Sequence, residues 1–186
     1  MCHREPARTA ARRIRSVILA ALVVVSMATV SPPGALGETD GAVPEGVRIF
    51  DKHSPAVTRL APGLRRALSR AALDAEKAGI EMVVNSGWRS REYQKQLFRD
   101  AVRKYGSERA AARWVATPET SSHVSGDAVD IGPSRAAVWL SRHGARYGLC
   151  RIYRNEPWHY ELRPGAVESR CPAMYADPTH DPRMHQ

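Results

Sequence analysis

The chain is expected to fold as α+β, with a small, largely antiparallel sheet packed by helices. Three observations point there. Helical and strand-like stretches alternate through the first two thirds of the chain. Two short strands then follow one another across a tight turn near residue 155, and no internal repeat is visible. That order of elements suits helices laid against a mostly antiparallel sheet.

The first 37 residues stand apart from this pattern. Arg4, Arg8, Arg12, Arg13 and Arg15 make a basic leader, Val17 to Val30 is almost continuously apolar, and Ala35-Leu36-Gly37 offers small residues to a signal peptidase. This is the order of a secretory signal. The apolar run of 14 residues is shorter than the about 20 that a bilayer span needs. Residues 1–37 are therefore expected to be a signal peptide and the protein to be secreted or held in the cell envelope. No stable membrane partner is expected after cleavage. The pair Arg12-Arg13 leaves the export route open.

Residues 38–54, rich in Gly, Pro and charge, are expected to be a linker or arm. From Val57 to Lys77, Leu60, Leu64, Leu68, Ala71 and Ala72 recur about every four positions, which predicts an amphipathic helix ended by Gly79. Ile80 to Val84 reads as a buried strand. It runs into the turn Asn85 to Ser90, where Ser90 suits the N-cap of a helix over Arg91 to Tyr105. A short helical piece covers Glu108 to Val115, and Thr117 to Thr120 interrupts the chain. Ala128 to Ile131 is a predicted strand, Ser134 to Tyr147 a helix, and Leu149 to Tyr153 and Trp158 to Leu162 two further strands. The folded domain is expected over residues 55–175, with residues 176–186 as a tail.

Charge excludes some partners. The sequence has 28 Lys and Arg against 19 Asp and Glu, but five arginines and one glutamate leave with residues 1–37. What remains is mildly basic and spread out. There is neither a basic stripe nor a set of stacking aromatics, so no nucleic-acid partner is expected. The chain is expected to be a monomer. Of three cysteines, Cys2 lies in the leader, and Cys150 and Cys171 are most simply a disulfide in an exported protein.

The chemistry centres on Ser121 to Asp130. His123 and Asp130 are suitable zinc ligands, imidazole and carboxylate both matching that metal. In an extended strand their opposite parity would send them to opposite faces. They converge only if the chain bends, and Gly126 permits the bend. This predicts His123 on a loop and Asp130 on the following strand. A second stretch, Glu156 to Glu161, offers His159 as a third ligand and Glu156 on a turn ahead of Pro157. Two histidines and one aspartate would leave a fourth position for water, beside which a carboxylate can act as general base. Arg89, on the turn after a buried strand, is suited to steadying a developing oxyanion or a substrate carboxylate. Trp88 and Trp158 are either core aromatics or walls of the cleft. His53, His143, His180 and His185 are expected at the surface.

These residues resemble one family. Ser86-Gly87-Trp88-Arg89-Ser90 followed by Tyr93-Gln94 is similar to the Ser-Gly-aromatic-Arg-Ser segment of the VanY-type D-alanyl-D-alanine carboxypeptidases. Ser121-x-His123-x-x-Gly126-x-Ala128-x-Asp130 matches their SxHxxGxAxD motif, and Glu156-x-Trp158-His159 their ExWH motif. The resemblance implies one zinc ion held by His123, Asp130 and His159, Glu156 as base, and Arg89 as clamp. It offers Ser121, Gln94 and Trp158 as substrate-binding residues and peptidoglycan stem peptides as substrate, trimmed of a terminal D-alanine. It also implies a fold shared with D,D-dipeptidases, phage L,D-endopeptidases and the Hedgehog signalling domain. Those relatives keep other outcomes open: an L,D-endopeptidase, a D,D-dipeptidase, or a non-catalytic zinc-containing peptidoglycan-binding domain. Pro157 stands where some relatives carry an aromatic residue. Glu161 rivals Glu156 as base, although Glu156 fills the motif and sits on the turn.

Overall fold

The computed structural model describes residues 36–185. The expected signal peptide therefore lies almost wholly outside the described residues. Among the described residues five strands form one sheet in the order β1-β2-β3-β5-β4, every neighbouring pair antiparallel. They are β1 (Val47–Arg48), β2 (Val83–Ser86), β3 (Ala128–Gly132), β4 (Leu149–Arg151) and β5 (His159–Leu162). The helices are α1 (Pro55–Thr58), α2 (Pro62–Lys77), α3 (Arg91–Tyr105), α4 (Glu108–Ala111) and α5 (Ser134–His143). No helix among the described residues is long and apolar enough to cross a membrane.

Side-chain alternation along the two central strands separates core from site. Val129 and Ile131 of β3 and Tyr160 of β5 join the core with Leu64, Leu68 and Ala71 of α2 and Leu140 of α5. Their neighbours Ala128, Asp130, His159 and Glu161 occupy the other face, since strand side chains alternate with period two. Register brings Asp130 opposite His159 and Ala128 opposite Glu161. A bulge in β2 matters equally. Val84 pairs with Ile131 on the core side, yet Ser86, of the same parity, pairs with Asp130. The one-residue slip turns Ser86 toward the site.

Several expected boundaries move. The helix foreseen over Val57 to Lys77 is two, because Pro62 starts α2 and holds Ala61 in an extended conformation. The Ala61 N–H donates instead to the Gly126 carbonyl at 2.9 Å. Ile80 does not open β2, because its N–H caps the end of α2 by donating to Ala75 O at 2.9 Å. Helix α5 closes as a 3-10 turn over Gly144–Tyr147.

The segment 38–54 is not a free linker or arm. Val47 and Arg48 pair with β2, Ile49 is buried, and Ser90 donates from both its N–H and its hydroxyl to Asp40. Apolar burial and strand pairing fix it, two effects that a Gly- and Pro-rich composition conceals. Residues 176–186 are not a loose tail either. Tyr175 bridges Tyr153, and Asp177 and Asp181 are buried.

Cys150 and Cys171 are disulfide-bonded across 21 positions. The bond ties β4 to the segment that leads into these last residues. Cross-linking a loop of that length restricts the unfolded chain and is worth roughly 3 kcal/mol. Replacing both cysteines by serine is expected to lower unfolding free energy by about that amount, read from denaturant midpoints. In the native oxidised protein neither Cys150 nor Cys171 is expected to react with a thiol reagent.

Candidate active site

The site is built on the open face of β3 and β5, below the turn that follows β2. His123 lies on the loop before β3 and Asp130 within it, as the parity argument expects. The bend is at Gly126, whose φ is +79°. One ring nitrogen of His123, one of His159 and one carboxylate oxygen of Asp130 all lie within 4.8 Å of one another. All three side chains are almost wholly buried.

The hydrogen bonds around the two rings define which nitrogens face inward. His123 Nδ1 is 2.8 Å from the Gly87 carbonyl, an acceptor only, so it carries the proton and leaves the Nε2 lone pair free. Nε2 is 3.4 Å from Asp130 Oδ1. His159 reverses the roles. Its Nε2 is 3.3 Å from Glu161 Oε1, and its Nδ1 is 3.1 Å from Asp130 Oδ1. Each imidazole thus has an outer acceptor that orients the ring and turns its other nitrogen inward, the arrangement that metal-binding histidines need.

Charge in the site follows from burial. Burial and the Arg89 guanidinium lower the His123 pKa, against the pull of Asp130. Burial alone would raise Asp130, but the two imidazoles outweigh it and keep the carboxylate ionised. Burial would also lower His159, yet its bonds to Asp130 and Glu161 push it up to about 10. A divalent cation at Nδ1 would compete for that proton.

Glu156 sits on the turn before β5 and lines the same cleft, with its Oε2 3.7 Å from His159 Nδ1. Burial pushes its carboxyl up to about 7; Asp130 and Asp177 add to this, while His159 and Arg89 oppose it. Its Oε1 is buried and has no hydrogen-bond partner among the described residues. Buried oxygens in proteins are normally paired. Two imidazoles that turn one nitrogen each toward an ionised aspartate, with an orphaned carboxylate oxygen beside them, fit a hydrated zinc ion once the His159 Nδ1 proton is displaced.

Arg89 is locked in place. Its Nε donates to Ser86 Oγ at 2.7 Å, one terminal nitrogen to Gln94 Oε1 at 3.0 Å, and the other to Asp130 Oδ2 at 3.1 Å. Three of the five guanidinium N–H groups are occupied and two remain. Its backbone N–H also donates to the His123 carbonyl at 3.1 Å.

The other expected site residues divide. Ser121 and Trp158 line the cleft of about 230 Å³, and Trp158 is half-exposed there rather than in the core. Gln94 also lines it but is fully buried, its amide held between Arg89 and the Ala116 carbonyl. That geometry makes it a support for Arg89. Trp88 lies half-buried under the Arg59 guanidinium, 4.3 Å from the ring centre, away from the cleft lining. Glu161 is fully buried on the outer side of His159 and hydrogen-bonded by Ser122, Arg163 and Arg183.

A His–Asp–His set at two strands of an antiparallel sheet and the loop before them, with a buried carboxylate and a fixed arginine beside it, makes a candidate metal centre. Residues 58–164 match the family described as VanY, D-alanyl-D-alanine carboxypeptidase, and the chain belongs to that family. A D-alanyl-D-alanine carboxypeptidase of Enterococcus faecalis is 32% identical, covering 55% of this chain and 46% of its own length. The putative carboxypeptidase YodJ of Bacillus subtilis is also 32% identical, over 46% of this chain and 39% of its own. The chain thus spans less than half the length of these curated relatives. Among solved structures, a mutant of the vancomycin resistance D,D-pentapeptidase VanY in complex with Zn(II) superposes with a TM-score of 0.56. It is 27% identical over 60% of this chain and 80% of its own. The LD-carboxypeptidase LdcB gives 0.55 at 26% identity, over 72% and 73%.

Proposed function

We propose that the protein is an exported, zinc-dependent D-alanyl-D-alanine carboxypeptidase that removes the terminal D-alanine from peptidoglycan stem peptides. One observation carries the reading: the orphaned Oε1 of Glu156 in a cleft that also holds the His123–Asp130–His159 set. Family membership and the Zn(II) bound by a structural relative support it.

His123 Nε2, Asp130 Oδ1 and His159 Nδ1 would hold the ion. Once bound, such an ion polarises a carbonyl and brings the pKa of water to about 7. The remaining work belongs to the chain. Glu156 takes a proton from the attacking water at its free oxygen and returns it to the departing amine of D-alanine. A carboxyl that burial has raised toward neutrality both accepts and releases that proton readily. The two spare N–H groups of Arg89 face charge that develops on the scissile carbonyl oxygen, and its three fixed contacts remove the need to reorganise. Trp158 and Ser121 border the space for the peptide.

A second reading, an L,D-carboxypeptidase, is favoured by the likeness to LdcB, which extends over more of this chain than that to VanY. Incubating the purified protein with defined muropeptides separates the two. Loss of one alanine from a pentapeptide ending in D-Ala-D-Ala is expected, abolished by a chelator and restored by zinc. Loss of the last residue from a tetrapeptide alone would establish the second reading. No cleavage by the zinc-loaded protein would leave a peptidoglycan-binding module.

A further inference from the structure

Residues 177–183 lie beyond the stretch matched by the family, which ends at residue 164. They nonetheless reach the outer side of His159 by two routes. In the first, Arg183 donates to Glu161 from both terminal nitrogens, at 2.7 Å to Oε2 and 3.4 Å to Oε1. Oε1 of the same carboxylate accepts from His159 Nε2 at 3.3 Å and from the Ser122 hydroxyl at 2.9 Å. In the second, Asp181 accepts from the Tyr153 hydroxyl at 2.9 Å, and the Tyr153 ring packs on the His159 ring with centres 5.2 Å apart. Asp181 is fully buried and also binds Arg183, so the two routes are joined. The segment is anchored upstream as well, where Arg113 donates to the buried Asp177 at 3.0 Å.

We infer that Arg183 and Asp181 form a buttress that holds His159 in the orientation and tautomer presenting Nδ1 to zinc, making both positioning residues for the metal centre. The inference rests on the zinc reading above. Its physical basis is geometric. A carboxylate held by a two-point guanidinium contact cannot rotate away from the ring N–H it accepts, and that N–H fixes which nitrogen keeps a lone pair. Arg163 also touches Glu161, at 2.6 Å, but only at Oε2, the oxygen that does not meet His159. Arg183 is the residue that spans both oxygens. The Tyr153 ring blocks a second motion, tilting of the imidazole toward the segment.

The test is zinc affinity, measured by competition with a chromophoric chelator on the purified protein, beside its thermal melting curve. Arg183→Met keeps much of the side-chain volume and removes the two-point contact. It is expected to weaken zinc binding by about 10- to 100-fold, the usual effect of losing an outer partner of a metal-binding histidine. Arg183→Lys restores one contact and should recover part of the loss. A merely structural role would lower the melting temperature and leave the affinity of the folded protein unchanged. If Arg183→Met does not fold, Tyr153→Phe, which severs only the second route, is read in the same way. Parental zinc affinity in the folded variant overturns the inference. Failure of the parent itself to bind zinc, or binding that survives His123→Ala, overturns the zinc reading instead.

Discussion

Glu156→Gln is expected to keep zinc and lose turnover, kcat falling by a factor of about 10²–10⁴. Glutamine has nearly the same shape, so the turn before β5 and the packing of Pro157 should survive. What disappears is the ability to hold a proton at Oε1, the buried oxygen with no partner. The side chain stands at the rim of the His–Asp–His set, close enough to His159 to share its surroundings yet free of the locking bonds that engage Asp130. Zinc content by atomic absorption and kcat on a muropeptide together make the test. Unchanged zinc with parental turnover would transfer the role to another group, Glu161 being the nearest acidic rival by sequence. Its position argues against it, since Glu161 is saturated by Ser122, His159, Arg163 and Arg183. The same assignment sets a pH dependence. The form that accepts a proton is the ionised one, and burial holds the proton on Glu156 up to about 7. A bound cation favours ionisation and moves that value down. Parental kcat/KM should therefore decline on the acid side with a midpoint at or below about 7.

The chemistry was more legible in the sequence than its supports. His123, Asp130 and His159 stand in short local motifs, and strand parity with a flexible Gly126 was enough to foresee the loop and strand that bring the first two together. The antiparallel sheet followed from the order of elements, and the disulfide from two cysteines remaining in a chain expected to be exported. The misjudged stretches have another physical character. Residues 38–54 and 176–186 look like loose ends because few of their residues are apolar. They are held by contacts distant in sequence: Asp40 with Ser90, Asp177 with Arg113, and Arg183 with Glu161. A polar side chain that is buried because a partner meets it leaves no periodic trace. Gln94 shows the same limit from inside a motif. Its presence was legible, but not that Arg89 and the Ala116 carbonyl hold its amide.

Gly126→Ala should be among the most destabilising single-methyl additions in the chain, by about 3 kcal/mol. Two effects combine. The φ of +79° is left-handed, which costs a residue with a Cβ roughly 1–2 kcal/mol. The new methyl would also stand 2.6 Å from the Arg59 carbonyl and 3.2 Å from the Ala61 nitrogen, both backbone atoms that cannot swing aside. Forcing such an overlap adds about 1–3 kcal/mol. Gly79 separates the two contributions. It has a similar φ of +70° but nothing within 4 Å of the position a Cβ would take. Gly79→Ala should therefore show the left-handed cost alone, and the gap between the two variants in urea unfolding isolates the close approach. Equal losses would mean that the loop yields freely to the methyl. The consequence for the metal follows from the same contact. The Gly126 carbonyl accepts from Ala61 at the junction of α1 and α2, and its N–H donates to the His123 carbonyl at 3.2 Å. A shift that relieves Arg59 moves His123, so zinc affinity should fall with stability in Gly126→Ala and stay at the parental value in Gly79→Ala. The glycine of the motif then does more than permit a bend, because it presses the histidine loop against the break between two helices.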